Sequence, residues 1–458
     1  MPTLTRHRWR WAALAVLLAA EAMNLLDATI VQVAGPAIHA ELPGPAADIP
    51  WFSAAYTLPF AAFLITGGRL GDVLGRARVF KLGVAGFVLA SLACAAAPDA
   101  GLLIGARAVQ GAAAALVIPQ TIGLIRALFD GDELAKALGS IGPVMGLSAV
   151  TGPLLGGLLT QAVSWRAAFL VNVPLGLAVL LAARLLREDR AATRPRLDLA
   201  GTALVVAGAG LLVYPLIDPA GPNWGLLAAG AVLLAVFGFH QRRAAAPLVE
   251  PSLFTHRGFP AALAGSLLFF AVMTGLMQVV PMQLQLGMGA DVRTAGLTLL
   301  PLSAGLAVSS YVAGARLVPK FGSRVMFAGP ALLLTGILAA LTAGAGAYPW
   351  ALALCGLGMG TFTVPFFTAA LHRVRPAETG SAAGLLNAVQ QLGGTLGVAA
   401  LGGLYLGTGT VAAALGVGAA LVVAAAVAVV PLTTREGSGW RSPRPGAAPR
   451  EISSRRGR

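Results

Sequence analysis

Four side chains are polar where the chain around them is apolar: Glu21, Asn24 and Asp27 within residues 11–34, and Arg107 within residues 101–125. An ionised group halfway along a membrane helix costs on the order of 3 kcal/mol on the most lenient scale, so it faces a protein interior or a watery cavity and marks a pathway. The chemistry open to a buried acid beside a buried base is the taking up and giving back of a proton. Asp27 lies about seven residues from the far end of its run and Arg107 about seven from the start of its own, so both sit roughly 10 Å deep at about 1.5 Å per residue. At one depth they can pair, and a proton on Asp27 would cancel the attraction and leave Arg107 seeking another acceptor. The alternative for Arg107 is an arginine snorkelling to the nearer membrane face. Glu21 is about 120° round the helix from Asp27 at about 100° per residue, which makes it a second acid and not half of a dyad. Two embedded acids against one base leave a negative pocket that favours cations.

The elements that must hold these residues are membrane helices. Of 458 residues, 57% are hydrophobic and 11% charged, against roughly 25% charged in soluble domains. Runs of about 20 apolar residues are long enough to cross about 30 Å of hydrocarbon. Fourteen such runs are predicted, from 11–34 and 49–71 through 199–217 and 224–240 to 381–406 and 408–432. Arg6, Arg8 and Arg10 precede the first run, which continues without a processing site and reads as a retained helix. Of the 32 Lys and Arg residues, all but Arg107, Arg166 and Arg293 fall on one side of this map. That asymmetry places both termini in the cytoplasm. The net charge of +14 is therefore an orientation signal, and no nucleic-acid partner is expected. Cys94 and Cys355 lie far apart in apolar runs, so neither a disulfide nor a metal site is expected.

A weak repeat divides the chain. Gly68-Arg69-Leu70 with Gly75 follows the second run, and Ala315-Arg316-Leu317 with Gly322 follows the tenth. Parallel repeats are a transporter architecture. The expected organisation is an all-α polytopic protein with a six-helix bundle in residues 1–190, a two-helix insertion in 191–257, a second six-helix bundle in 258–432 and a disordered basic cytoplasmic tail in 433–458. The second bundle has no embedded acid and offers amides, of which Gln278, Asn387 and Gln390, with Asn24 and Gln110 from the first bundle, are candidates to line a substrate cavity.

Three motifs carry a family resemblance. The loop Gly68, Leu70, Gly71, Asp72, Gly75, Arg76 resembles the cytoplasmic loop between helices two and three of the major facilitator superfamily; its glycines permit a tight turn, and Asp72 near a helix end and beside Arg76 makes a gating latch. Val73 stands where that family usually has a base. Arg107 followed by Gln110-Gly111 is similar to the fourth-helix motif of the same family. Ser148, Gly152-Pro153 and Gly156-Gly157 are similar to its antiporter motif, with Ser148 in place of the usual glycine. The small residues at i, i+4 and i+8 form a ridge for close packing, and Pro153 permits a bend. Leu26-Asp27 with Thr29 and Pro36, and Trp165-Arg166 with Phe169, Asn172 and Pro174, resemble the fourteen-helix drug:proton antiporter branch, with Gln32 where an Asn is common.

The resemblance implies the major facilitator fold and a monomeric, proton-coupled antiporter that exports a lipophilic drug or antibiotic across a bacterial cytoplasmic membrane by alternating access. Asp27, Arg107 and Glu21 would carry the coupling, with the proton gradient in place of a cofactor, and the partners would be a small lipophilic substrate, protons and the bilayer. An uptake symporter of the same fold is the alternative, which the Gly152-Pro153 element opposes. A membrane enzyme would need a nucleophile, metal or acid–base cluster, and no such spacing is present. The orientation is checked by fusing a reporter active only in the cytoplasm after Trp440: it should give signal, and a silent fusion at normal abundance would mean an odd number of crossings.

Overall fold

The computed structural model describes residues 9–190, 197–218, 221–255, 258–342, 347–372, 374–375 and 378–433. Of the tail expected over 433–458, all but Thr433 lies outside them. The described chain is helical: α1 (Arg10–Glu41), α2 (Asp48–Leu74), α3 (Arg76–Ala95), α4 (Ala100–Leu128), α5 (Gly131–Gly139), α6 (Ile141–Ala162), α7 (Trp165–Leu170), α8 (Asn172–Ala182), α9 (Leu199–Ile217), α10 (Trp224–Gln241), α11 (Gly258–Met282), α12 (Val292–Thr298), α13 (Leu300–Val312), α14 (Val318–Phe321), α15 (Ala328–Thr342), α16 (Tyr348–His372), α17 (Thr379–Thr408) and α18 (Val411–Ala428). Twelve stretches among the described residues are long and apolar enough to cross a membrane. One of them, Val292–Thr342, runs for 51 residues.

The helix ends follow local chemistry. Asp99 caps α4 by accepting from Leu102 N at 2.8 Å, and Asp291 caps α12 by accepting from Thr294 N at 2.7 Å, each satisfying a donor that the first turn leaves without a partner. The membrane-length stretch Trp165–Leu185 is interrupted at Val171, which separates α7 from α8. The turn expected near residue 407 falls at Gly409, whose φ of 65° suits a residue without a Cβ. Gly75 and Gly322, the matching glycines of the weak repeat, both have positive φ, 107° and 68°.

Two large apolar clusters fill the interior. One draws on α1 to α5 and α8 around Phe80, Phe87 and Phe129; the other draws on α11 to α13 and α15 to α18 with Val33 of α1, around Phe269, Phe362 and Phe366. In the second, the Phe269 and Phe362 rings stack with centroids 3.8 Å apart.

Packing repeats more clearly than sequence does. A methyl group placed on Gly111 of α4 would collide with the Tyr56 carbonyl of α2, and one on Gly356 of α16 would collide with the Leu302 carbonyl of α13. In the same way Gly156 of α6 lies on the backbone of α1 at Ile30, and Gly397 of α17 on that of α11 at Ala271. Helices that meet backbone against backbone need glycine at the contact, because there is no room for a side chain. Gly397→Val should therefore lower thermal stability in detergent, by about 1–3 kcal/mol for an overpacked site, whereas Gly416→Val, with no atom within 4 Å, should leave it unchanged; fluorescence-detected gel filtration after heating distinguishes the two.

Candidate functional site

Asp27 and Arg107 face each other in the dry interior of the first helical set, with 0% and 1% of their side chains exposed. Arg107 Nη1 donates to Asp27 Oδ2 at 2.5 Å. That burial leaves no room for the snorkelling alternative. A guanidinium has five N–H donors and no acceptor, so burying it requires several oxygen partners. They are present: Nη1 also donates to Gln110 Oε1 at 2.7 Å, and Nε donates to the Phe52 carbonyl at 2.9 Å. The Tyr56 ring lies under the cation at 4.4 Å and Phe169 at 5.8 Å, which adds attraction from the aromatic faces.

Asp27 is satisfied from its other oxygen. Oδ1 accepts from Gln110 Nε2 at 2.8 Å and from Asn172 Nδ2 at 2.7 Å. Ser91 Oγ closes the network by accepting from the same two amides, at 2.8 Å and 3.4 Å. Five helices thus meet at one carboxylate: α1 carries it, α2 gives a carbonyl and a ring, α3 gives Ser91, α4 gives Arg107 and Gln110, and α8 gives Asn172. Gln110, expected to face substrate, spends both amide atoms inside this network. Sequence reasoning assigned no site role to Ser91 or Asn172, although Asn172 is an isolated amide in an apolar run and drew notice as part of a motif.

Glu21 is buried beside Thr121 of α4 and joins no hydrogen bond of the Asp27 network, in keeping with its separate face. Asn24 is 3% exposed, and neither atom of its amide has a hydrogen-bond partner among the described residues. Gln278, also expected at the cavity, bridges α11 to α2 by accepting from Ser53 Oγ at 3.0 Å. Thr395 of α17 donates to Thr57 of α2 at 2.8 Å nearby. Asn387 and Gln390 are half-buried on α17.

At the other end of α2, Gly75 makes the turn into α3 and Gly68 rests on Pro119. Arg76 pairs with Asp72 at 2.9 Å and with Asp189 at 2.5 Å. Glu188 Oε1 accepts from the Ala77 amide at 3.1 Å. The acids Glu188 and Asp189, which the sequence reading left among the basic residues of their segment, tie the α2–α3 turn to the chain after α8. Near the same edge, the Asp198 carboxyl at the start of α9 is pushed up by burial but held below its ordinary range overall by hydrogen bonds from Gly201 N, His240 and Gln241.

The ridge of α6 has two neighbours. A methyl group on Gly152 would strike Thr29 of α1, and one on Gly156 would lie 3.0 Å from the Ile30 carbonyl oxygen. On the other side, one on Gly157 would lie 2.8 Å from the Val292 carbonyl oxygen of α12, and one on Gly296 would lie 2.6 Å from that of Pro153. Ser148 satisfies its hydroxyl on the Val144 carbonyl at 2.9 Å, so a serine sits on the ridge without an unpaired donor.

Residues 17–398 match the sequence profile of the Major Facilitator Superfamily. The chain belongs to that superfamily. Within it, the chain is 43% identical over 420 residues to the probable actinorhodin transporter of Streptomyces coelicolor, covering 87% of this chain and 73% of that one. It is 39% identical over 412 residues to a puromycin resistance protein of Streptomyces alboniger, covering 86% and 81%. In fold it is similar to the crystal structure of the peptide transporter POT in complex with sulfate, at a TM-score of 0.67 and 15% identity over 91% of this chain and 93% of that one. The Asp27 network is thus the buried charge centre of a polytopic superfamily transporter. Removing one donor to a buried charge costs about 1.5–3 kcal/mol, so Asn172→Leu should cut transport by about tenfold or more at normal membrane abundance; vesicle uptake normalised to protein level checks it.

Proposed function

We propose that this superfamily member is a proton-coupled antiporter that exports a lipophilic antibiotic or drug from a bacterial cytoplasmic membrane by alternating access, working as a monomer, with Asp27 as the proton acceptor. The observation that carries the reading is the buried Asp27–Arg107 pair. A pair fully removed from water stands only while both charges are present, and losing one leaves the other uncompensated at about 3–5 kcal/mol. A proton on Asp27 would therefore do what a ligand does to a two-state protein, favouring whichever packing gives Arg107 other acceptors. Export is favoured by the two relatives, one a probable transporter of actinorhodin and the other a puromycin resistance protein. Glu21 and the unpaired amide of Asn24 would face the substrate, and the negative charge of Glu21 favours cations.

In this reading the chain crosses the membrane fourteen times with both ends inside, as two six-helix bundles in 1–190 and 258–432 around a two-helix insertion. Val292–Thr342 would make two of these crossings, since 51 residues of helix span about 75 Å at about 1.5 Å per residue, and it turns at Gly322. The 30-residue α17, diluted by Thr, Asn, Gln and Gly, would make another. Asp72 and Arg76 would gate, opening the α2–α3 turn away from Asp189.

The test is transport in proteoliposomes driven by a pH gradient. Asp27→Asn should lower proton-driven export at least about tenfold, because the amide neither carries charge nor titrates near neutral pH, while Glu21→Gln should change which substrates are handled and keep the coupling. Undiminished coupling in Asp27→Asn would overturn the assignment, and its loss in Glu21→Gln alone would move the role to Glu21.

A further inference from the structure

The insertion does not close on the rest of the molecule. α9 wedges against α2 and α17, whereas α10 packs chiefly on α9, and a cavity of about 540 Å³ opens between α10 and α11. Phe237 of α10, Leu263 of α11, and Leu385 and Val389 of α17 line it, and Val249 in the connecting segment closes its end. A second cavity of about 230 Å³ shares Phe237, Val249, Leu385 and Val389 and runs on between α9 and α2. The combined space is of the size that holds a small ligand, about 300–1,000 Å³.

Its surroundings fix the chemistry of an occupant. The outer face of α10 is apolar and exposed at Val232, Val236 and Phe239, so the mouth opens on hydrocarbon, and an apolar space of this kind is not filled stably by water. The polar groups at its rim are mostly committed. Gln241 donates to Asp198 at 2.8 Å and accepts from Val249 N at 3.1 Å, and His240 bonds Asp198 at 2.9 Å. Glu250 accepts from Ser381 at 3.2 Å. Exposed Arg242 lines the mouth and makes no ion pair among the described residues, and Arg243 lies over the Phe239 ring at 4.2 Å. Arg69 donates to the carbonyls of Ala246 and Pro247 at the same edge, which sets this rim at the arginine-rich face of the membrane, where lipid phosphates lie.

We propose that the crevice binds one phospholipid with an anionic headgroup, an acyl chain entering between α10 and α11 and the phosphate resting on Arg242. A lipid fits better than the exported molecule because no residue lining either cavity comes from α1 or α4, which carry Asp27 and Arg107. The proposal is independent of the direction and coupling of transport.

The experiment is native mass spectrometry of the purified full chain with phosphatidylglycerol or phosphatidylcholine of matched chains. Wild type should retain one phosphatidylglycerol, several-fold in preference to phosphatidylcholine. Arg242→Gln, at an exposed position that does not threaten folding, should bring the two lipids to near equality. Leu385→Trp, which fills the crevice, should lower retention of both about tenfold while gel filtration shows a folded monomer. Unchanged headgroup preference in Arg242→Gln overturns the proposal even if Leu385→Trp fails to fold, as does unchanged retention in folded Leu385→Trp. Displacement of the lipid by glycerol 3-phosphate would reveal a headgroup site without a chain, and displacement by ethidium equally in wild type and Arg242→Gln would reveal a port for transported molecules; either overturns it.

Discussion

A single desolvated ion pair sets the demands that the first helical set must meet. Asp27 and Arg107 are both almost wholly buried, so the lone pairs and N–H groups left over from their contact must be met inside the protein. Three further helices are drawn in to do so, through Phe52, Ser91 and Asn172, and α4 adds Gln110 beside Arg107. Such a network is costly if any member is missing, because a buried polar group without a partner forfeits its hydration for nothing. The close packing of α2 on α4 at Gly111 belongs to the same demand, since it brings the Phe52 carbonyl within reach of the Arg107 guanidinium.

The periodicity of apolar runs and the glycine motifs were enough to place α1 to α4, α6 and the pairing of Asp27 with Arg107, because membrane burial makes each charge conspicuous and helix rise converts position into depth. The partners were harder. Ser91 and Asn172 are neutral and small, and nothing in their own runs says which way they face; only the assembled helices turn them toward one carboxylate. Gln110 carried a similar ambiguity, since an amide beside a cavity and an amide bridging an ion pair look alike in sequence. Glu188 and Asp189 were hidden for a different reason. They lie in a basic connecting segment, where charge ordinarily reads as orientation, and their partners are more than 100 residues away in the chain.

Superfamily membership connects these contacts to the probable actinorhodin transporter and the puromycin resistance protein. The α9–α10 pair is fastened beside the charge centre without contributing a side chain to it. α9 attaches through Thr202 to Thr66 of α2 at 2.8 Å, and the Asp198 cluster fastens the foot of α9 to that of α10. All of this lies on helices that do not carry Asp27 or Arg107.

The glycines of α6 bear on how the two helical sets could move. Interlocked side chains resist sliding, because each knob must leave its hole before entering the next, and such contacts favour a few discrete positions. At Gly156 and Gly157 there are no knobs, α6 meeting α1 and α12 through backbone, and at Gly152 only the small side chain of Thr29 comes between. A smooth rail of this sort allows fine shear along its length at little cost, with α1, and so Asp27, on one side and α12 on the other. The opposition between a rigid charge centre and a low-friction track beside it would let a change of charge at one carboxylate become a displacement between the two sets of helices.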